Sequence, residues 1–185
     1  MKKRLLFVLT AFAGIPLILV VNGFRPSDGD NHKISPNPPR TVELATLRAT
    51  EYGPVVGSNE KNQTHVWLGI PYAKPPTGKL RWREPQTVQV WSNEFEALSR
   101  QPECLHSRTT ISVKSGKKQI FAGAEDCLYL DIWAPRSAAE NAAQTEEQLP
   151  VMVWLNGGDN KLGSSSYFSG HKFAGNQQVV FVSVN

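Results

Sequence analysis

The sequence predicts an α/β fold in which antiparallel edge strands lead into a parallel sheet, and two features of the chain support this prediction. Short apolar runs separated by Gly, Pro, Asn and Asp begin near Thr41 and are spaced as in an antiparallel meander. Two later runs are continuously or almost continuously apolar, as strands covered on both faces require. The chain therefore combines an antiparallel opening with buried parallel strands.

Composition and charge exclude several classes of function. The chain has 185 residues, 40% apolar and 19% charged, which suits one globular domain. Residues 2–4 supply three positive charges, and without them 17 basic residues face 16 acidic ones. No basic stripe with interleaved aromatics remains, so we expect no nucleic-acid partner. Two cysteines are too few for a metal site built from Cys-x-x-Cys pairs, and we expect no metal and no cofactor.

Residues 1–23 have the charge-then-hydrophobe order of a secretory signal. Lys2, Lys3 and Arg4 precede an apolar run from Leu5 to Val21, and the small residue Gly23 allows cleavage before position 24. We expect export, to a secreted, periplasmic or extracellular location. The alternative is an uncleaved membrane anchor, because about 17 apolar residues is the lower limit for crossing a bilayer.

Residues 24–40 are polar and rich in proline, at positions 26, 36, 38 and 39. Such a segment lacks the apolar residues that a core needs, and it is predicted to be a linker. The folded part is therefore expected to span residues 41–185.

Five strands are predicted in this part. The antiparallel opening comprises Leu44 to Arg48, Gly53 to Val56 and Val66 to Ile70, and the buried strands are Val151 to Leu155 and Val179 to Val184. Trp133 and Trp154, in or beside strand runs, are expected to fill the core.

Helical patterning is scarce. Ser137 to Gln148 opens with Ser137 and Glu140 in capping-box spacing but has no apolar stripe, so we expect a solvated excursion or a short surface helix. The chain lacks enough amphipathic helix to cover both faces of its sheet. It is therefore expected to be incomplete, with apolar strand faces that make it insoluble alone.

Five motifs follow one another between Thr41 and Asn185. They are Tyr52–Gly57, Leu68–Ala73 with Pro75–Pro76, Leu80–Trp82, Glu125–Trp133, and Pro150–Leu155 running into Asn156-Gly157-Gly158. In sequence, order and spacing they resemble the N-terminal portion of type-B carboxylesterases, the cholinesterase-like branch of the α/β-hydrolases. The resemblance implies that residues 41–185 are the N-terminal portion of a carboxylesterase domain, whose substrate is a small-molecule carboxylic ester.

Cys104 and Cys127 are the only cysteines of a chain predicted to be exported, so they are expected to form a disulfide. In the family resembled, the corresponding loop borders the substrate gorge. Asn62-Gln63-Thr64 is an N-glycosylation acceptor sequence, which has meaning only in a eukaryotic secretory pathway.

None of the catalytic triad expected of this family is present. A serine esterase of this kind needs a nucleophilic Ser on a Gly-x-Ser-x-Gly turn, followed in the chain by an acid and a His. Ser165 has Gly163 two residues before it but Tyr167 two residues after it, and no other Ser fits the pattern. The histidines precede any such turn and are predicted to be surface or loop residues; they are His32, His65, His106 and His171.

The segment that remains is the one that stabilises the oxyanion. The family usually reads His-Gly-Gly-Gly-Phe after this strand, whereas positions 156–160 here read Asn-Gly-Gly-Asp-Asn. By resemblance, the backbone N–H groups of Gly158 and Asp159 form the oxyanion hole, flanked by Asn156 and Gly157. Glycine is favoured there because the backbone must approach the substrate closely.

Asp159 is the most consequential departure from the family pattern. A carboxylate about 5 Å from the developing negative charge would cost on the order of 3 kcal/mol at an effective dielectric constant of 20. This cost corresponds to roughly a hundredfold in rate. Alternatively, the Asp159 side chain turns to solvent and the oxyanion hole works nearly normally.

These observations predict an N-terminal fragment of an exported carboxylic ester hydrolase that is inactive alone. The alternative, motivated by the altered segment at positions 156–160, is a non-catalytic member of the same fold that binds a partner at a cell surface.

Overall fold

The structure is a computed structural model that describes residues 39–112, 116–137, 148–158 and 163–185. The predicted signal sequence, nearly all of the predicted linker, most of the predicted surface helix at Ser137 to Gln148, and Asp159 lie outside these ranges. In the part described, no helix is both long and apolar enough to cross a membrane.

Within these ranges the chain forms strands, one α-helix that is described over its whole length, and two 3-10 turns. The strands are β1 (Glu43–Thr50), β2 (Gly53–Glu60), β3 (Thr64–Pro71), β4 (Phe95–Glu96), β5 (His106–Ser112), β6 (Gly116–Ala122), β7 (Tyr129–Pro135), β8 (Val151–Leu155) and β9 (Val180–Val184). Helix α1 spans His171–Gln177, and the 3-10 turns span Gly78–Leu80 and Ser165–Tyr167. Each of the five predicted strands is therefore confirmed.

The main sheet has the order β1-β2-β3-β7-β9-β8, and β4 pairs with β2. The neighbours from β1 to β9 are antiparallel, whereas β8 and β9 are parallel, with Val153 opposite Val182. Strands β5 and β6 form a separate antiparallel ribbon. The predicted antiparallel edge leading into parallel strands is confirmed, and the parallel pairs among the described strands are β8–β9 and the short pairing of β4 with β2.

One face of the sheet packs against α1. Its buried cluster consists of Val66, Leu68, Trp133, Ala174 and Phe181. Alternate residues of a strand point to opposite faces, so Val66 and Leu68 of β3 reach the same side. Gly170, just before α1, leaves room for the neighbouring rings, since a Cβ there would lie 2.5 Å from Phe181. Trp133 is buried, as predicted.

The opposite face is covered by the segment around β4 rather than by a helix. Val55, Trp67 and Ala97 form its buried centre, and Trp91 and Phe95 pack against them. The indole N–H of Trp67 donates to the backbone oxygen of Thr46, 2.9 Å away, which ties β1 to this cluster. A single helix and an extended segment thus cover the two faces from β2 to β9.

Strand β8 has the exposed apolar surface expected of an incomplete chain. All five of its residues are exposed, and Val153 and Leu155 are 57% and 72% exposed. Trp154, predicted to lie in the core, is 37% exposed and contacts Phe168 edge to face at 5.0 Å. A continuously apolar strand needs a covering layer on each face, and no described element covers β8 in this way.

Candidate active site

The candidate site lies at the carboxyl ends of β8 and β9. Because these strands are parallel, their carboxyl ends meet at one edge of the sheet, the usual place for ligands in open α/β sheets. Asn156, Gly157 and Gly158 continue β8, and Asn185 continues β9. The segment predicted to stabilise an oxyanion is therefore at the edge where this fold places its chemistry.

The backbone around Gly157 is open on one side and tightly closed on the other. A Cβ on Gly157 would meet no atom of the described residues within 4 Å, so a ligand can approach this peptide closely. Gly158 has a φ of 140°, which disfavours a side chain. Gly163 has a φ of 114°, and a Cβ there would lie 2.3 Å from the backbone oxygen of Gly157. The two ends of the segment from Gly157 to Gly163 thus touch, and Gly163 is required by contact as well as by conformation.

Asn185 holds the chain that follows this segment. Its side-chain oxygen accepts hydrogen bonds from the backbone N–H of Ser165 at 3.3 Å and from the Ser165 hydroxyl at 3.0 Å. Its side-chain N–H donates to the backbone oxygen of Pro102 at 2.9 Å, and its own backbone oxygen accepts from the Tyr72 hydroxyl at 2.7 Å. One side chain thus links β9, the 3-10 turn at Ser165 and the segment that leads to the first cysteine.

The disulfide predicted between Cys104 and Cys127 is present, and it closes a loop that contains the β5–β6 ribbon. Cys104 also pairs with Ala124 in an isolated bridge. Next to this base, the Nδ1 of the His106 imidazole donates to the Cys104 backbone oxygen at 2.9 Å, and its Nε2 lies 3.5 Å from the Tyr167 hydroxyl. Donation is the role consistent with a carbonyl partner. The loop base therefore borders the turn that follows the candidate oxyanion segment.

Two of the histidines are not where the sequence predicted. His65 in β3 and His106 in β5 are buried, at 5% and 6% exposure, so their prediction as surface or loop residues is wrong. Both rings have polar partners, Asn59 at 3.1 Å for His65 and the Cys104 oxygen for His106, and such bonds make burial possible. His32 lies outside the described residues.

His171 begins α1 and lies 2.7 Å from the Ser169 hydroxyl. This Ser and His are two residues apart on an exposed turn, and Ser169 has no flanking glycines in the elbow pattern. Ser165 is buried and donates to the amide oxygen of Asn185 rather than to an imidazole. Among the residues the structure describes, neither serine is placed as an activated nucleophile.

The ion pair between Arg100 and Asp131 holds the turn next to the candidate site. The Arg100 guanidinium lies 2.9 Å from the Asp131 carboxylate and donates to the backbone oxygens of Ser166 and Phe168 at 2.6 and 2.7 Å. Burial raises the pKa of Asp131 and lowers the pKa of Arg100, and in each case it outweighs the attraction of the partner. The backbone N–H of Gly69 also donates to Asp131, at 2.9 Å. Arg100 thus anchors the 3-10 turn to β7.

The acidic residues of the motif Glu125–Trp133 each have a separate structural role. Glu125 pairs with Arg81 of another family-like motif at 2.8 Å. Asp126 accepts from the Tyr129 hydroxyl at 2.8 Å, and burial together with this bond raises the pKa of Tyr129 to about 12. Glu125 thus links the segment before β7 to the loop that contains Arg81, and Asp126 links it to Tyr129 of β7.

The structure therefore places Asn156, Gly157 and Gly158 at the carboxyl end of β8, places the base of the disulfide loop against Tyr167 of the following turn, and does not describe Asp159. Sequence reasoning missed Asn185 and Arg100, which position the neighbouring turn. Asn185 stands at the end of a predicted strand, which was the available signal. Arg100 has no local signal, because its partners are 31 or more positions away in the chain.

Comparison with known proteins gives one consistent result. Residues 45–185 match the carboxylesterase family. The chain is 36% identical over 138 residues to para-nitrobenzyl esterase of Bacillus subtilis (strain 168), covering 74% of this chain and 26% of that protein. It is 35% identical over 146 residues to the medium-chain fatty acyl-CoA hydrolase precursor of Anas platyrhynchos, covering 73% and 25%.

Solved structures agree with the sequence comparison. A PNB esterase structure superimposes with a TM-score of 0.61 at 36% identity, covering 76% of this chain and 27% of that one. A Geobacillus stearothermophilus carboxylesterase superimposes with a TM-score of 0.58 at 32% identity, covering 76% and 26%. The chain spans about a quarter of the length of the curated relatives it matches. Sequence motifs, sheet order and these similarities lead to the same conclusion: this chain belongs to the carboxylesterase family.

Proposed function

We propose that this chain is the N-terminal portion of a carboxylic ester hydrolase and that it supplies the oxyanion-stabilising segment of the active site. The observation that carries the proposal is the open backbone at Gly157, followed by Gly158 with its φ of 140°, at the carboxyl end of β8 in a member of the carboxylesterase family. The substrate class is a small-molecule carboxylic ester, in keeping with relatives whose names denote an esterase and an acyl-CoA hydrolase.

The chemical role of the segment is electrostatic. When a nucleophile attacks the ester carbonyl, the carbonyl oxygen gains negative charge, and backbone N–H groups fixed in advance stabilise it. Gly158 and Asp159 are proposed as the donors, with Asn156 and Gly157 beside them. The replacement at Asp159 keeps the N–H group but adds a carboxylate, so we propose a weakened oxyanion hole unless that side chain points to solvent.

The chain itself is proposed to be inactive, because it contains no Gly-x-Ser-x-Gly turn. The test is a turnover assay of the purified chain with a short-chain aryl ester, followed by absorbance of the released phenol. We expect no release above the rate in buffer. Release that a serine-directed inhibitor abolishes would overturn the proposal, because it would require a nucleophile within these residues.

Export and glycosylation belong to the same proposal. Residues 1–23 are proposed as a signal peptide and residues 24–40 as a linker, and one relative is named as a precursor. Asn62 is exposed on the turn between β2 and β3, as an N-glycan would require. Mass spectrometry of protein secreted from eukaryotic cells would identify the mature N-terminus, expected at position 24, and a glycan on Asn62.

A second candidate function is favoured by the departures at Asn156 and Asp159. A non-catalytic member of this fold that binds a partner at a cell surface would tolerate such changes, whereas an esterase is slowed by them. Sequencing the transcript beyond the codon for Asn185 separates the two. An elbow with its Ser, followed by an acid and a His, supports the hydrolase, and an elbow without the Ser supports the binding protein.

A further inference from the structure

Two clefts lie side by side on the loop that follows β3, and none of the residues of the candidate active site lines either of them. The first, about 470 Å³, has mainly apolar walls made by Pro71, Ala73, Pro75, Leu80, Val88 and Trp91. The second, about 530 Å³, is lined by Lys79, Leu80, Arg83, Glu84, Pro85 and Gln86. Leu80 lines both clefts, so an apolar cavity and a charged cavity share one wall. Each volume is in the range of small-molecule sites.

The backbone of the shared wall is held in place by its own hydrogen bonds. The N–H of Leu80 donates to the Thr77 oxygen at 3.0 Å, and the N–H of Arg83 donates to the Leu80 oxygen at 3.2 Å. On the far side of the first cleft, the indole N–H of Trp91 donates to the Pro54 oxygen at 2.9 Å. Both walls are therefore largely formed before a ligand arrives, which reduces the entropy lost on binding.

The charges around the clefts favour an anion. Lys74 lines the first cleft, and Lys79 and Arg83 line the second. In the part of the chain that the structure describes, none of these three cations takes part in an ion pair; the neighbouring Arg81, by contrast, pairs with Glu125. Glu84 is the only acidic residue that lines either described cleft. The cations thus exceed the carboxylates by two at a site with an apolar interior.

The conformation of the loop adds an independent observation. Trp82 has a φ of 59°, a left-handed conformation that costs about 1–2 kcal/mol for a residue with a side chain. Its indole is 97% exposed, between Arg81 and Arg83. The arginines on either side of Trp82 have different surroundings: Arg81 pairs with Glu125, whereas Arg83 lines the second cleft. The strain accompanies the arrangement that leaves Arg83 available to a ligand.

We infer that the paired clefts bind an amphipathic carboxylate, with its alkyl chain in the apolar cleft and its carboxylate among Lys79 and Arg83. An alkyl chain complements the apolar walls, and a single negative charge complements the excess of cations without approaching Glu84 as a polyanion would. This site shares no lining residue with the Gly157–Gly158 segment, and its occupation does not depend on ester hydrolysis.

Isothermal titration calorimetry of the full chain with sodium octanoate tests this inference. The expected result is saturable binding to one site per chain. K79Q/R83Q should weaken octanoate binding by about tenfold, the combined effect of two exposed charge contacts. The matched control, K61Q/K172Q, removes two exposed lysines that line neither cleft and should leave the affinity unchanged.

A variant that binds octanoate more tightly excludes loss of structure as the cause of the binding changes. E84Q removes the opposing carboxylate and should tighten octanoate binding about threefold, which an unfolded protein could not do. Octan-1-ol, which lacks the charge, should bind K79Q/R83Q and the unmodified chain equally. Octanoate binding that is unsaturable, or equally strong in K79Q/R83Q and the unmodified chain, would overturn the inference and would assign the binding to apolar surface elsewhere, such as β8.

Discussion

Removal of the disulfide should destabilise the chain by an amount set by the loop that it closes. Cys104 and Cys127 are 23 positions apart, and the chain-entropy relation for a loop of this length corresponds to about 3.4 kcal/mol at 25 °C. Domains are typically stable by about 5–15 kcal/mol, so this loss is a large fraction of the total. We therefore expect C104A/C127A to lower the free energy of unfolding by about 3 kcal/mol.

The measurement is equilibrium unfolding in urea, followed by tryptophan fluorescence. Trp133 and Trp67 are buried and should report the loss of both faces of the sheet. The control is the unmodified chain in reducing agent, which should show the same loss, because it breaks the same link without changing the cysteines. A decrease below about 1 kcal/mol in both samples would refute the reasoning, since the loop would then not constrain the unfolded chain.

Three further predictions concern the ion pairs and the exposed strand. R100Q should lower the free energy of unfolding by about 3 kcal/mol, because it leaves the Asp131 carboxylate buried without its partner. R100Q/D131N should recover part of that loss. Urea titrations that give the same loss for R100Q and for R100Q/D131N would contradict this prediction. Burial acts to raise the pKa of Glu60, but the Lys61 N–H and Arg40 outweigh burial and lower this pKa below 4.5. The unmodified chain should therefore be more stable than E60Q above that pH, and this difference should disappear as the pH falls below it. Urea titrations from about pH 6 to pH 3 can measure the difference. V153K should change the free energy of unfolding by less than about 0.5 kcal/mol. It should also raise the solubility of the chain, because it places a charge on an exposed edge strand. Unchanged solubility in a precipitation assay would count against β8 as the site of association.

The strands could be predicted from sequence because their information is local. Val66 to Ile70 and Val151 to Leu155 are short apolar runs with turn residues on each side, and that pattern is sufficient for an extended conformation. Helix α1 was not predicted, because its seven residues include Gly175 and carry no full apolar repeat. Gly175 is needed there, since a Cβ would lie 2.3 Å from the Asn62 backbone oxygen. A tertiary contact therefore outweighs local helix propensity.

Burial was harder to predict than strand position. Trp133 and Trp154 have similar sequence surroundings, yet Trp133 lies under α1 and Trp154 lies on an exposed strand. The difference depends on which elements cover each strand, and such information is absent from a short window of sequence. The buried His65 illustrates the same point, because its hydrogen bond to Asn59 crosses a hairpin.

Only the part of the candidate site that is formed by backbone groups could be predicted from the sequence. Glycines at positions 157 and 158 after a strand indicate a backbone that a substrate can approach, and the structure places them at the expected edge. The side chains that hold this edge, Arg100 and Asn185, make their contacts with distant segments. Their roles therefore depend on the fold and could not be predicted from spacing.

The most direct test of the central claim is covalent labelling with a fluorophosphonate, which reacts with the activated serine of serine hydrolases. Intact-mass spectrometry of the purified chain after incubation with the reagent should show the unmodified mass alone, since no serine in this chain stands on a nucleophile elbow. Stoichiometric addition of one phosphonyl group to a serine, blocked by prior denaturation, would contradict the account.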